Sequence, residues 1–190
     1  MANLIITIIS IALVAVAALM GAYYGGAAFL NGQAKANANA AVSQGEQQVA
    51  AWSVYAADRS GNWTLSALAA LSATSPTAYV TSLPISPGGV TSSTTVSAWT
   101  LVNLSDVSGG TSANYDGVYF RLTDDTAGLN VCNNVAIMIG GSAATPTKTS
   151  VANNIFGLTP SGRKFDCIYF DASATAATTS TPKYIYYRAY

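Results

Sequence analysis

A chain of 190 residues with 8% charged side chains, a formal net charge of zero and no histidine has room for one domain and an appendage. It lacks the basic surface that displaces counterions from nucleic acid, so no specific nucleic-acid site is expected. The missing His removes His-based triads and His-ligated metals, and sparse charge leaves self-association unopposed by repulsion.

The first ionisable side chain is Lys35. Residues 1–30 are apolar or small, and about 20 such residues in a helix cross a bilayer core. A signal peptide is the competing reading, but it carries a basic leading region and a shorter apolar run. Here only Ala2 and Asn3 precede the apolar run, with neither Lys nor Arg. Met1 is therefore expected to be the N-terminus of a chain already cut from a longer precursor, since a span normally has a positive flank.

Gly21, Gly25 and Gly26 interrupt the segment, each at a helical cost of about 1 kcal/mol against Ala. Two compatible readings stand. The glycines mark a kink or local melting, or Gly21-Ala22-Tyr23-Tyr24-Gly25 forms a small-xxx-small surface for close helix contact. Tyr23 and Tyr24 suit a membrane interface, where amphipathic rings collect.

The helical pattern continues over residues 31–57, with Val42, Val49 and Trp52 close to one face. Asp58-Arg59-Ser60-Gly61-Asn62 reads as its stop. Such a helix is roughly 80 Å long at 1.5 Å per residue, longer than a bilayer, so its second half is expected to pack on a soluble domain. The division is a long helix over 1–57 and a globular head over 58–190.

In the head, residues 63–71 (WTLSALAAL) predict a short amphipathic helix, and residues 72–95 are rich in breakers. Four runs, 96–104, 117–123, 167–171 and 184–188, read as strands, and the absence of βαβ alternation points to an antiparallel sheet in an α+β fold. Residues 127–139 have helical spacing, with Leu129, Cys132, Val135 or Ala136, and Ile139 on one face. Asp124-Asp125-Thr126 supplies the cap and an anionic start. Cys132 and Cys167 are the two cysteines. In a secreted or periplasmic domain they pair, stabilising the fold by about 3–4 kcal/mol in the chain-entropy view; two buried free thiols are the alternative.

A long apolar N-terminal helix starting at Met1, an Ala-rich continuation, a small α+β head and a C-terminal cysteine pair resemble type IV pilins. The type IVb branch is nearer, because Gly128-Leu129-Asn130-Val131-Cys132 is similar to the Cys-bearing helix that precedes its last strands. The resemblance implies a prepilin peptidase that methylates the Met1 amine, residence in the inner membrane, and assembly machinery. It implies a homopolymer on the bacterial surface with the N-terminal helices in the fibre core. The family carries Glu at its fifth residue; this chain has Ile5, and its first carboxylate is Glu46. A pseudopilin or minor pilin of a secretion machine, and a single-span membrane-anchored binding protein, are the alternatives.

No enzyme activity or cofactor is expected. Asp116, Asp124 and Asp125 could ligate Ca²⁺ through oxygen, but EF-hand spacing is missing, so caps and turns are expected instead. Ser161-Gly162-Arg163-Lys164 reads as a solvated turn. Asn62-Trp63-Thr64 and Asn103-Leu104-Ser105 match the N-glycosylation pattern, and residues 91–97 and 172–182 have the composition of O-glycosylated stretches. Tyr184, Tyr186, Tyr187 and Tyr190 are expected to pack a strand that forms an inter-subunit edge.

Overall fold

The computed structural model describes residues 2–65, 67–72, 78–87, 91–92, 95–96, 99–102, 116–140, 147–149, 163–170 and 177–189. The chain forms two compact units, Met1–Gln33 and Ala34–Tyr190. Helix α1 (Ala2–Asp58) begins in the first and ends in the second.

The first unit is helical throughout its described residues. Its Thr and Ser hydroxyls serve the helix itself: Thr7 Oγ1 donates to Asn3 O at 2.8 Å and Ser10 Oγ to Ile6 O at 2.9 Å. Neither needs an outside partner.

In the second unit α1 buries one stripe, Ala34, Ala38, Ala41, Gly45, Val49, Trp52 and Tyr55. The spacing is three to four residues, as a helix packed on one side requires. A Cβ on Gly45 would lie 2.9 Å from Tyr187 Cβ, so glycine lets helix and sheet approach closely. Further along, Trp52 Nε1 donates to Trp63 O at 3.1 Å and Trp99 Nε1 to Gln44 Oε1 at 3.2 Å. The helix stops as expected. Ser60 has φ 59° and Gly61 φ 83°. Gly61 N donates to Ala56 O and Ser60 N to Ala57 O, which is the Schellman closure of the last carbonyls.

The predicted helix over 63–71 is corrected. Only one turn, α2 (Ala69–Ser72), forms there. Thr64 N is instead held by Asn62 Oδ1 at 2.9 Å, a local turn that competes with helix. Leu65, Leu68 and Leu71 are still buried, so the apolar positions serve the core without the helix.

A two-stranded ribbon follows, β1 (Thr91–Ser92) and β2 (Thr95–Val96). The main sheet contains β3 (Thr100–Val102), β4 (Gly117–Arg121), β5 (Thr147–Thr149), β6 (Phe165–Phe170) and β7 (Lys183–Arg188) in the order β3-β4-β7-β6-β5. Each predicted strand run overlaps one of β3, β4, β6 and β7, and these four pair antiparallel. The short edge strand β5 pairs parallel to β6. The sheet is thus antiparallel with one parallel edge, which the sequence reading did not contain. The expected edge role of the C-terminal tyrosines is also corrected: β7 is central, hydrogen-bonded to β4 on one side and β6 on the other.

One sheet face presents Leu101, Val118, Phe120, Cys167, Ile185 and Tyr187 to the main core with α1 and α3 (Thr126–Gly140). The opposite face carries Val102, Ile168 and Tyr186, with Tyr119 and Tyr184 against them. Helix α3 buries Gly128, Val131, Cys132, Val135 and Ala136. Its inward face is therefore turned slightly from the predicted one, with Leu129 only half-buried. Gly128 is obligatory there, because a Cβ would meet Thr123 O at 2.0 Å.

Candidate functional site

Among the described residues, most exposed large hydrophobic side chains lie in the N-terminal part of α1. Leu4, Ile5, Ile9, Leu13, Leu19 and Phe29 are each more than half exposed, and no side chain whose burial is described in residues 3–33 is buried. This is one helix long and apolar enough to cross a membrane. Its backbone groups are closed within the helix, as an apolar surrounding demands, and no charged side chain precedes Lys35. The segment can be transferred out of water without desolvating an ion.

Tyr23 and Tyr24 are 79% and 71% exposed, their rings edge to face at 5.5 Å. The helix runs through Gly21, Gly25 and Gly26, and a Cβ at any of them would meet nothing within 4 Å. Their glycine identity is therefore not explained by contacts within the chain, unlike that of Gly45 and Gly128. The placement of Met1 lies outside the described residues.

Cys132 and Cys167 are joined, with Cα atoms 5.3 Å apart. The disulfide links α3 to β6 in the buried core, as the helix-to-strand placement predicted. Asp125 is the cap of α3: its Oδ1 accepts from Gly128 N and Thr123 Oγ1, both at 2.7 Å. The Gly128 bond, then the Thr123 bond, hold its carboxyl below the ordinary 3.8.

The other carboxylates go separate ways. Asp124 pairs with Arg121, Asp116 faces Arg188 at 3.9 Å, and Asp166 takes Arg163 at 3.1 Å. Among the described residues no three acidic, Cys or His groups converge on a cation position. Residues 103–105, 161–162, 171–176 and 190, on which other sequence expectations fell, lie outside the described residues, as do the side chains of 91–97.

Lys183 and Gln48 are buried polar side chains that the sequence pattern does not reveal. Lys183 is fully buried. Its Nζ donates to Thr178 O, Thr179 O and Thr181 O at 3.1, 3.2 and 2.7 Å. Burial, above all, lowers its pKa from the ordinary 10.5. Gln48 is fully buried with neither amide atom partnered. Lys183 is the first residue of the tyrosine-rich strand β7 and Gln48 sits in a polar stretch, so nothing in the local pattern marks either as internal.

No protein-family model, curated protein or solved structure matches the chain.

Proposed function

We propose that the chain is a structural subunit of an extracellular type IV pilus-like filament, assembled through its apolar N-terminal helices. The observation that carries this reading is the stretch of α1 over residues 3–33, free of charged side chains and with none of its described side chains buried, which continues as α1 into a disulfide-clipped α+β head. A simple anchor needs only the first half of that helix. A polymer uses both: the apolar part to bury against copies, the packed part to fix each head to it. Burial of such a segment contributes tens of kcal/mol gross at ~25 cal/mol/Å², before the entropy of association is subtracted.

In this reading the segment resides in the inner membrane until assembly. A prepilin peptidase exposes and methylates Met1, and the filament lies on the cell surface. The amine at Met1 has no carboxylate available from the first 45 residues, since Glu46 is the first, so the fibre core is held by packing rather than by an ion pair. Electron microscopy of surface-sheared material is expected to show thin fibres of this chain, and mass spectrometry a methylated Met1. Recovery only as monomer from detergent-extracted membranes would instead favour a membrane-anchored binding protein.

A further inference from the structure

Gln48 has both amide atoms buried and without a hydrogen-bond partner, a cost of about 1–3 kcal/mol that an apolar side chain would remove. It is among the residues lining a cleft of about 650 Å³ between the 47–54 stretch of α1 and residues 79–84. That volume falls in the range of small-ligand sites, about 300–1,000 Å³.

The described lining contains no Asp, Glu, Lys or Arg, so a phosphate, carboxylate or ammonium would lose its hydration without gaining a counter-charge. Neither wall is a strand. The α1 backbone is spent within the helix, and Tyr79 N and Val80 N both donate to Leu71 O. An extended peptide, which binds by adding to a strand edge, finds no edge here. What the cleft offers is side-chain chemistry: Gln47, Thr81 and Ser82 as neutral hydrogen-bonding groups, and Ala50, Ala51 and Val54 as an apolar strip.

A carboxamide sets a donor beside an acceptor. A vicinal diol of a sugar matches it, one hydroxyl donating to Oε1 and its neighbour accepting from Nε2. The C–H face of the same ring suits the apolar strip. No hydrogen bond holds the Gln48 carboxamide in its buried position, and binding would require the side chain to turn toward the cleft. We propose that this cleft binds a neutral glycan, with Gln48 holding a vicinal diol.

The test uses the full chain dispersed in a zwitterionic, sugar-free detergent, with maltose, lactose and diacetylchitobiose as probes in saturation-transfer NMR. At least one probe is expected to give saturable transfer. Gln48→Leu should weaken it about tenfold or more while Tm holds or rises, because the unpartnered amide is gone. Ala50→Trp, placed on the exposed rim, should abolish it. No saturable transfer from any of the three, or transfer that survives both substitutions, would overturn the proposal. Tighter binding of sialyl-lactose than of lactose would overturn the neutral assignment. Because the dispersed subunit is measured, failure leaves the filament reading untouched, and absence of filaments leaves this one untouched.

Discussion

Gly45 shows how one missing methyl group sets the seat of α1. With a Cβ there 2.9 Å from Tyr187 Cβ, Gly45→Ala must push the helix off β7 or displace the ring that stacks on Phe165 at 6.0 Å. Overpacking of this kind costs about 1–3 kcal/mol, against about 1 kcal/mol gained from helix propensity. A net fall in stability is expected in thermal or urea unfolding. The requirement was not visible in Gln44-Gly45-Glu46, because the ring that demands it lies far along the chain. Lys183 was hidden for a related reason. A lysine reads as solvated until three carbonyls fold around it, and those of Thr178, Thr179 and Thr181 surround it only once the loop has closed.

Among the elements, α1, its stop, α3 and the two cysteines were legible because each rests on local chemistry: periodicity, a cap, or the only possible partner. The pairing of β5 and the central place of β7 were not. Both are set by contacts between distant segments, and Thr147-Lys148-Thr149 carries no strand alternation of its own. The apolar positions of residues 63–71 were read correctly as inward, but their helix lost to the turn at Asn62. Replacing both Cys132 and Cys167 by Ser is expected to lower stability by about 3–4 kcal/mol for a loop spanning 35 residues, measured by chemical denaturation. Gly25→Ala has the opposite expectation. Nothing lies within 4 Å of the added Cβ, so the helix of the dispersed subunit should gain about 1 kcal/mol or less, seen as unchanged or greater helicity by circular dichroism. Under the filament proposal the same change should reduce fibre yield, because close contact between copies, or local melting, uses that glycine.

At the scale of the whole molecule, titration brackets stability from both sides. Burial raises the pKa of Tyr184, Tyr186 and Tyr187 above the ordinary 10.0. Their contribution is fully present below pH 10 and is lost as pH rises through the higher folded values, because the unfolded chain ionises first. Lys183 acts in the other direction, gaining as pH rises toward the ordinary 10.5; above that value its gain is complete and only the tyrosine loss continues. On the acid side Asp125, with its pKa held below 3.8, contributes stability above that value and loses it as pH falls through the folded one. Thermal unfolding followed against pH should give a plateau from about pH 4 to 10 with a fall at each end. In the filament reading, fibres should survive high salt and yield to detergent, because residues 1–34 contain no charged side chain and so no ion pair between side chains to screen; sedimentation in each solvent measures this.

The buried stripe of α1 changes character along its length. It begins with Ala34, Ala38 and Ala41 and ends with Val49, Trp52 and Tyr55. Small side chains grip weakly and large ones strongly, so the hold on the helix is graded. Amide hydrogen exchange should be faster near Ala34 than near Trp52. Under tension from its N-terminal side, the helix should peel from the sheet progressively and halt at the two tryptophans, Trp52 and Trp63, rather than shear away all at once. The head thereby gains a yielding first stage ahead of a firm stop.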